Sequence, residues 1–88
     1  MFRVWAKEWK DNHLIKDTVV CDSSEDTRTH KIFNALTEAC HILDLAEPIW
    51  LDANVGEFKR DNKTRFRQDS FIEEIPFDYL EIQIIQEE

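Results

Sequence analysis

Glycine is almost missing from this chain of 88 residues, and Gly56 is the only one. A loop that cradles phosphate needs several glycines so that the backbone can approach its ligand, so the Walker and dinucleotide-binding fingerprints are excluded. Cysteine is nearly as scarce. Cys21 and Cys40 are too few for a disulfide framework and are expected as thiols in a reducing compartment. No apolar run approaches the ~20 residues of a membrane-spanning helix. The opening MFRVWAKEWK has no apolar stretch of the kind that directs export, which points to a cytoplasmic protein with no membrane partner.

Charge and aromatic side chains are plentiful. Nineteen acidic residues against eleven Lys and Arg give a net charge of -8, and six Phe, three Trp and one Tyr accompany them. Disordered chains are poor in aromatics, so this one is expected to fold, as a single domain spanning 1–88. A domain this short buries only ~60–65% of the surface its unfolded chain exposes, and a partner covering more apolar area would help it.

Period-2 alternation sets Phe2, Val4 and Ala6 against Arg3, Trp5, Lys7 and Trp9, and β-branched residues return over 14–21 after a polar turn, so residues 2–21 predict a β-hairpin. Asp22, Ser23 and Ser24 are candidate caps for a helix over about 24–44, whose apolar stripe is Ile32, Phe33, Leu36, Ala39, Cys40 and Leu43. Pro48 closes the connection that follows, and Ile49-Trp50-Leu51 reads as a short buried strand. Residues 52–58 read as a helical turn, and 63–68 and 78–86 as further strands. In the last of these Leu80, Ile82 and Ile84 oppose Tyr79, Glu81, Gln83 and Ile85. The class is α+β: an antiparallel sheet, built from the N-terminal hairpin plus two or three later strands, with one main amphipathic helix packed on one face.

The segments Asp26-Thr27-Arg28-Thr29-His30-Lys31-Ile32, Pro48-Ile49-Trp50-Leu51, Lys63-Thr64-Arg65-Phe66 and Phe77-Asp78-Tyr79-Leu80-Glu81-Ile82 together resemble a group of short acidic bacterial proteins of unknown function. That resemblance implies a bacterial, cytosolic, stand-alone domain, and it brings no activity, ligand or catalytic residue with it.

The charge is unevenly placed. Lys59, Arg60, Lys63, Arg65 and Arg67 stand against Asp61 within nine positions, a +4 segment in a remainder of -12. Such a basic patch, with Phe58 or Phe66 beside it, suits a phosphate backbone. The opposite reading is an acidic mimic of nucleic acid that uses Glu73, Glu74, Asp78, Glu81, Glu87 and Glu88. Many acidic proteins, however, carry their charge for solubility alone.

Catalytic signals are weak. His30 and His41 lie three helical turns apart, ~16 Å, too far to share one metal ion. Cys40 and His41 point ~100° apart on a helix, so they make no nucleophile–base pair, and His13 falls in a solvated turn. Asp52, Glu57 and Lys59 have the residue types of a metal-dependent nuclease centre, but Glu8-Trp9-Lys10 repeats the same Glu-x-Lys by chance. The polar residues at the start of the helix are expected to cap it rather than to bind an anion. No catalytic residue, metal or cofactor is therefore expected. The favoured function is a non-enzymatic protein-binding or self-associating domain, a homodimer included. With one helix covering one sheet face, Trp5, Trp9, Tyr79 and Ile85 are left as interface candidates on the other.

Overall fold

In the computed structural model, which describes residues 1–87, β1 (Phe2–Lys10) and β2 (His13–Asp22) form the expected hairpin. Its two-residue loop, Asp11-Asn12, has φ of 51° and 64°, the left-handed pair that matches the twist of the flanking strands. The strands β3 (Lys63–Phe66) and β4 (Tyr79–Gln86) complete a four-stranded antiparallel sheet in the order β2-β1-β4-β3.

Register divides the side chains between two faces. Val4, Ala6 and Glu8 lie opposite Ile84, Ile82 and Leu80 of β4, and Thr64 and Phe66 of β3 extend the same rows. Helix α1 (Arg28–Ile42) packs there through Ile32, Leu36, Ala39 and Cys40, and helix α2 (Asp52–Asp61) through Phe58. Both helices thus cover the same face. The second helix does not fold over Trp5 and Trp9, and the other sheet face has no layer above it.

Helix α1 starts four residues later than its pattern suggests. The Asp22 carboxylate accepts from the Ser24 N–H at 2.7 Å and the Ser24 hydroxyl from the Asp26 N–H, local turns that compete with helix. Thr27 is the residue that caps, its hydroxyl accepting from the His30 N–H at 3.2 Å. The end is set at Asp44, whose φ is 57°, with Leu45 N–H returning to the Cys40 carbonyl at 2.8 Å.

Residues 49–51 are not a strand. Ile49 N–H donates to the Ser70 carbonyl at 2.7 Å, and the Leu51 carbonyl accepts from the Val55 N–H at 3.1 Å at the start of α2. Trp50 acts instead as a wedge between the helices: it stacks on Phe58 at 5.6 Å and meets Phe66 and Phe33 edge-on. The expected turn at 52–58 is a ten-residue helix, and β3 stops at Phe66, where a short 3₁₀ turn (Gln68–Ser70) begins. Asn54, buried on α2, holds these pieces together. Its amide donates to the Thr64 hydroxyl at 3.0 Å and the Arg65 carbonyl at 2.9 Å, while its oxygen accepts from the Leu51 N–H.

The scarcity of glycine has a structural counterpart. Among the described residues all four with positive φ are Asp or Asn (Asp11, Asn12, Asp44, Asn62), the side chains best able to replace glycine there. Gly56 sits inside α2 instead, with open space where a Cβ would stand.

Candidate functional site

The uncovered sheet face carries Arg3, Trp5, Lys7 and Trp9 from β1. From β4 it carries Tyr79, Glu81 and Gln83, and from β3 Lys63 and Arg65. Leu14, Asp17 and Val19 of β2 lie opposite Trp9, Lys7 and Trp5. Three of the four residues expected at an interface, Trp5, Trp9 and Tyr79, are thereby brought to one surface, each half-buried. Ile85 is exposed near the end of β4, beside a shift in register with β1.

At the centre is an ion pair that sequence reasoning missed. The Lys7 ammonium lies 3.0 Å from one Glu81 oxygen, and the Arg65 guanidinium 3.0 Å from the other. Lys7 and Glu81 are each only 5% exposed although no helix covers them, because neighbouring side chains lie across them. Burial would push the Glu81 carboxyl up, but hydrogen bonds from Lys7 and Arg65 outweigh it and hold the group below its ordinary range. The bond to Glu81 in turn pushes the Arg65 guanidinium up. Cross-strand position was the available signal, since Lys7 and Arg65 both stand directly opposite Glu81.

The aromatic rings are bound into this network. The Lys7 ammonium sits 4.1 Å from the Trp5 ring centre, and Arg65 and Arg67 lie 4.7 and 5.7 Å from that of Tyr79. The Trp5 indole N–H donates to the Asp17 carboxylate at 2.8 Å, whereas that of Trp9 is buried and meets no acceptor. Arg3, Lys63 and Arg67 make no ion pair among the described residues. With Arg67, which lies beside the Tyr79 ring just past the end of β3, five cations against the two carboxylates Asp17 and Glu81 give this face +3 and leave -11 on the rest of the chain.

The basic segment 59–67 is not one patch. Lys63, Arg65 and Arg67 serve the open face, while Lys59 and Arg60 project from the end of α2, Arg60 beside Asp61 at 3.7 Å. The acids proposed for mimicry are also dispersed. Glu81 is locked in the basic face, Glu87 pairs with Arg28 at 2.6 Å, and Asp78 accepts from the Asp11 N–H in the hairpin loop. Glu73 and Glu74 are exposed in the 71–76 loop, and Glu88 lies outside the described residues.

Asp52, Glu57 and Lys59 all fall on α2, where Glu57 is turned about 140° from Asp52 and about 160° from Lys59, so the two carboxylates do not face one ion. Glu57 accepts from the Thr64 hydroxyl at 2.6 Å. Among the described residues no three His, Cys, Asp or Glu side chains are grouped to hold a metal ion, and no helix is long and apolar enough to cross a membrane. His13, His30 and His41 are exposed and lie apart, His30 beside Asp26 at 3.0 Å. Cys40 is buried, and burial pushes its thiol up to about 12. Compared with family models, curated proteins and solved structures, the chain matches none.

Proposed function

We propose that this chain is a non-enzymatic protein-binding domain that docks an acidic segment of a partner protein on its uncovered sheet face. The observation that carries this reading is the convergence of three aromatic rings and five cations on one face of an acidic molecule. Trp, Tyr and Arg dominate binding hot spots because they offer large contact area with a polar handle. Leu14 and Val19, 41% and 44% exposed, add apolar surface along β2. A +3 face attracts acidic partners and orients their approach. The same charge opposes pairing this face with its copy in a second molecule, which favours a different protein over self-association.

Arg3, Lys63 and Arg67 would suit phosphates too. Base stacking, however, needs open rings, and Lys7 and Arg65 already occupy a face of Trp5 and Tyr79. That favours a protein ligand over a single strand of nucleic acid.

Selection from a random displayed-peptide library tests the reading. The expected winners are rich in Asp and Glu with apolar residues between them, and their binding weakens with salt and is lost in Lys63→Glu/Arg67→Glu. Failure to enrich any sequence, or equal binding by the charge-reversed variant, would contradict it. A gel shift with single-stranded oligonucleotides at low salt is expected to show no complex.

A further inference from the structure

One core-facing position breaks the pattern of its strand. Phe2, Val4 and Ala6 put apolar side chains under the helices, and the next residue in that row is Glu8, opposite Leu80. An apolar residue is what the period of two requires there, and breaches of local rules concentrate at functional sites. Glu8 is only 3% exposed, and its Oε2 is buried with no hydrogen-bond donor in reach. Buried polar atoms are nearly always partnered, so an orphaned carboxylate oxygen marks a place where a donor is missing.

Glu8 lines a cleft of about 210 Å³ between the hairpin, the end of α1 and the 71–76 loop. Leu45, Phe71 and Ile75 form apolar walls, and Asp44, Glu73 and Glu74 stand around the cleft. The loop is held in place by Gln68, whose side-chain amide donates to the Glu73 carbonyl at 2.8 Å and accepts from the Ile75 N–H at 2.9 Å. Lys16 is the only cation of the lining, so its four carboxylates leave a net -3.

From this geometry we infer that the cleft binds a short aliphatic diamine, one ammonium donating to the orphaned Glu8 carboxylate and the second meeting Glu73 and Glu74. The alkyl chain lies against Leu45, Phe71 and Ile75. At about 210 Å³ the cleft has room for a four- or five-carbon diamine. Burial pushes the Glu8 carboxyl up, with Lys16 opposing only in part, and a bound ammonium would reverse that by pairing the charge.

Calorimetric titration of the full chain at low salt with putrescine, cadaverine, butylamine and N-acetyl-lysine amide tests the inference. Saturable binding of the diamines is expected, stronger than that of butylamine. Glu8→Gln should weaken it about tenfold or more, the weight of a hydrogen bond between charged groups. Glu73→Gln/Glu74→Gln should weaken diamines but not butylamine. Because an acidic chain attracts polyamines loosely, the buried Glu8 is the deciding position. No saturable binding into the millimolar range, or equal binding by Glu8→Gln, overturns the inference. Tightest binding of N-acetyl-lysine amide also overturns it, since the site would then belong to a protein side chain. Should Glu8→Gln fail to fold, amide shifts of the wild type under putrescine decide: changes at 43–46 and 71–75 support the site, and changes elsewhere or none overturn it.

Discussion

Two buried carboxyls, Glu81 on β4 and Glu8 on β1, respond oppositely to pH. Lys7 completes a pair with Glu81, whose carboxyl is held below its ordinary 4.5 even though burial alone would raise it. A lowered carboxyl stabilises the fold above its unfolded value and loses that contribution as pH falls through the folded value. Lys7→Met leaves Glu81 to Arg65 alone and is expected to cost about 2–3 kcal/mol at pH 7, a deficit that shrinks on acidification. Glu8 has the reverse sign. Burial raises its carboxyl, so its contribution is greatest below 4.5 and declines as pH rises through the folded value. Glu8→Met should therefore stabilise by about 1–2 kcal/mol at pH 7 and by less near pH 4.5, as urea midpoints at the two pH values will show. The cysteines differ as sharply. Exposed Cys21 should react with a thiol reagent at once, and Cys40, buried with its thiol at about 12, only when the chain unfolds. A carboxylate in an apolar row was visible in the sequence as Glu8 following Ala6. Its lack of a donor was not, because that depends on the 71–76 loop and on Lys16, which no local pattern positions.

Among the elements, the hairpin and α1 were legible because each carries a complete periodic stripe with its own turn or cap chemistry. The boundaries of α1 were not, since Asp22, Ser23 and Ser24 form turns with one another before Thr27 caps. α2 was read as a single turn because Gly56 lowers its helix propensity and its partners are distant in sequence. Asn54, the residue that ties α2 to β3 and the 3₁₀ turn, looks like any helix-start asparagine until Thr64 and Arg65 are brought beside it. Asn54→Ala leaves the Thr64 hydroxyl and Leu51 N–H short of a partner and should cost about 1–3 kcal/mol in chemical unfolding. Gly56→Ala should stabilise by about 0.5–1 kcal/mol, because the position is helical and a methyl group meets nothing within 4 Å. Together the two substitutions separate a position held by its side chain from one that is merely flexible.

At the scale of the whole molecule, the acidic composition conceals a division of charge between the two faces of the sheet. A linear count located the cations at 59–67, but the fold sends Lys59 and Arg60 elsewhere and joins Lys63, Arg65 and Arg67 to Arg3 and Lys7. Only pairing across strands could show that. The proposed docking of an acidic protein segment depends on this face, and the proposed diamine cleft lies on the other side of the sheet, so ligands of the two sites should not compete. The most direct measurement is amide and indole chemical-shift mapping with an acidic peptide from the displayed library. The account predicts shifts at the Trp5 indole N–H, Lys7, Lys63, Arg65 and Tyr79, with α1 unmoved. Shifts confined to α1, α2 or the 71–76 loop would contradict it.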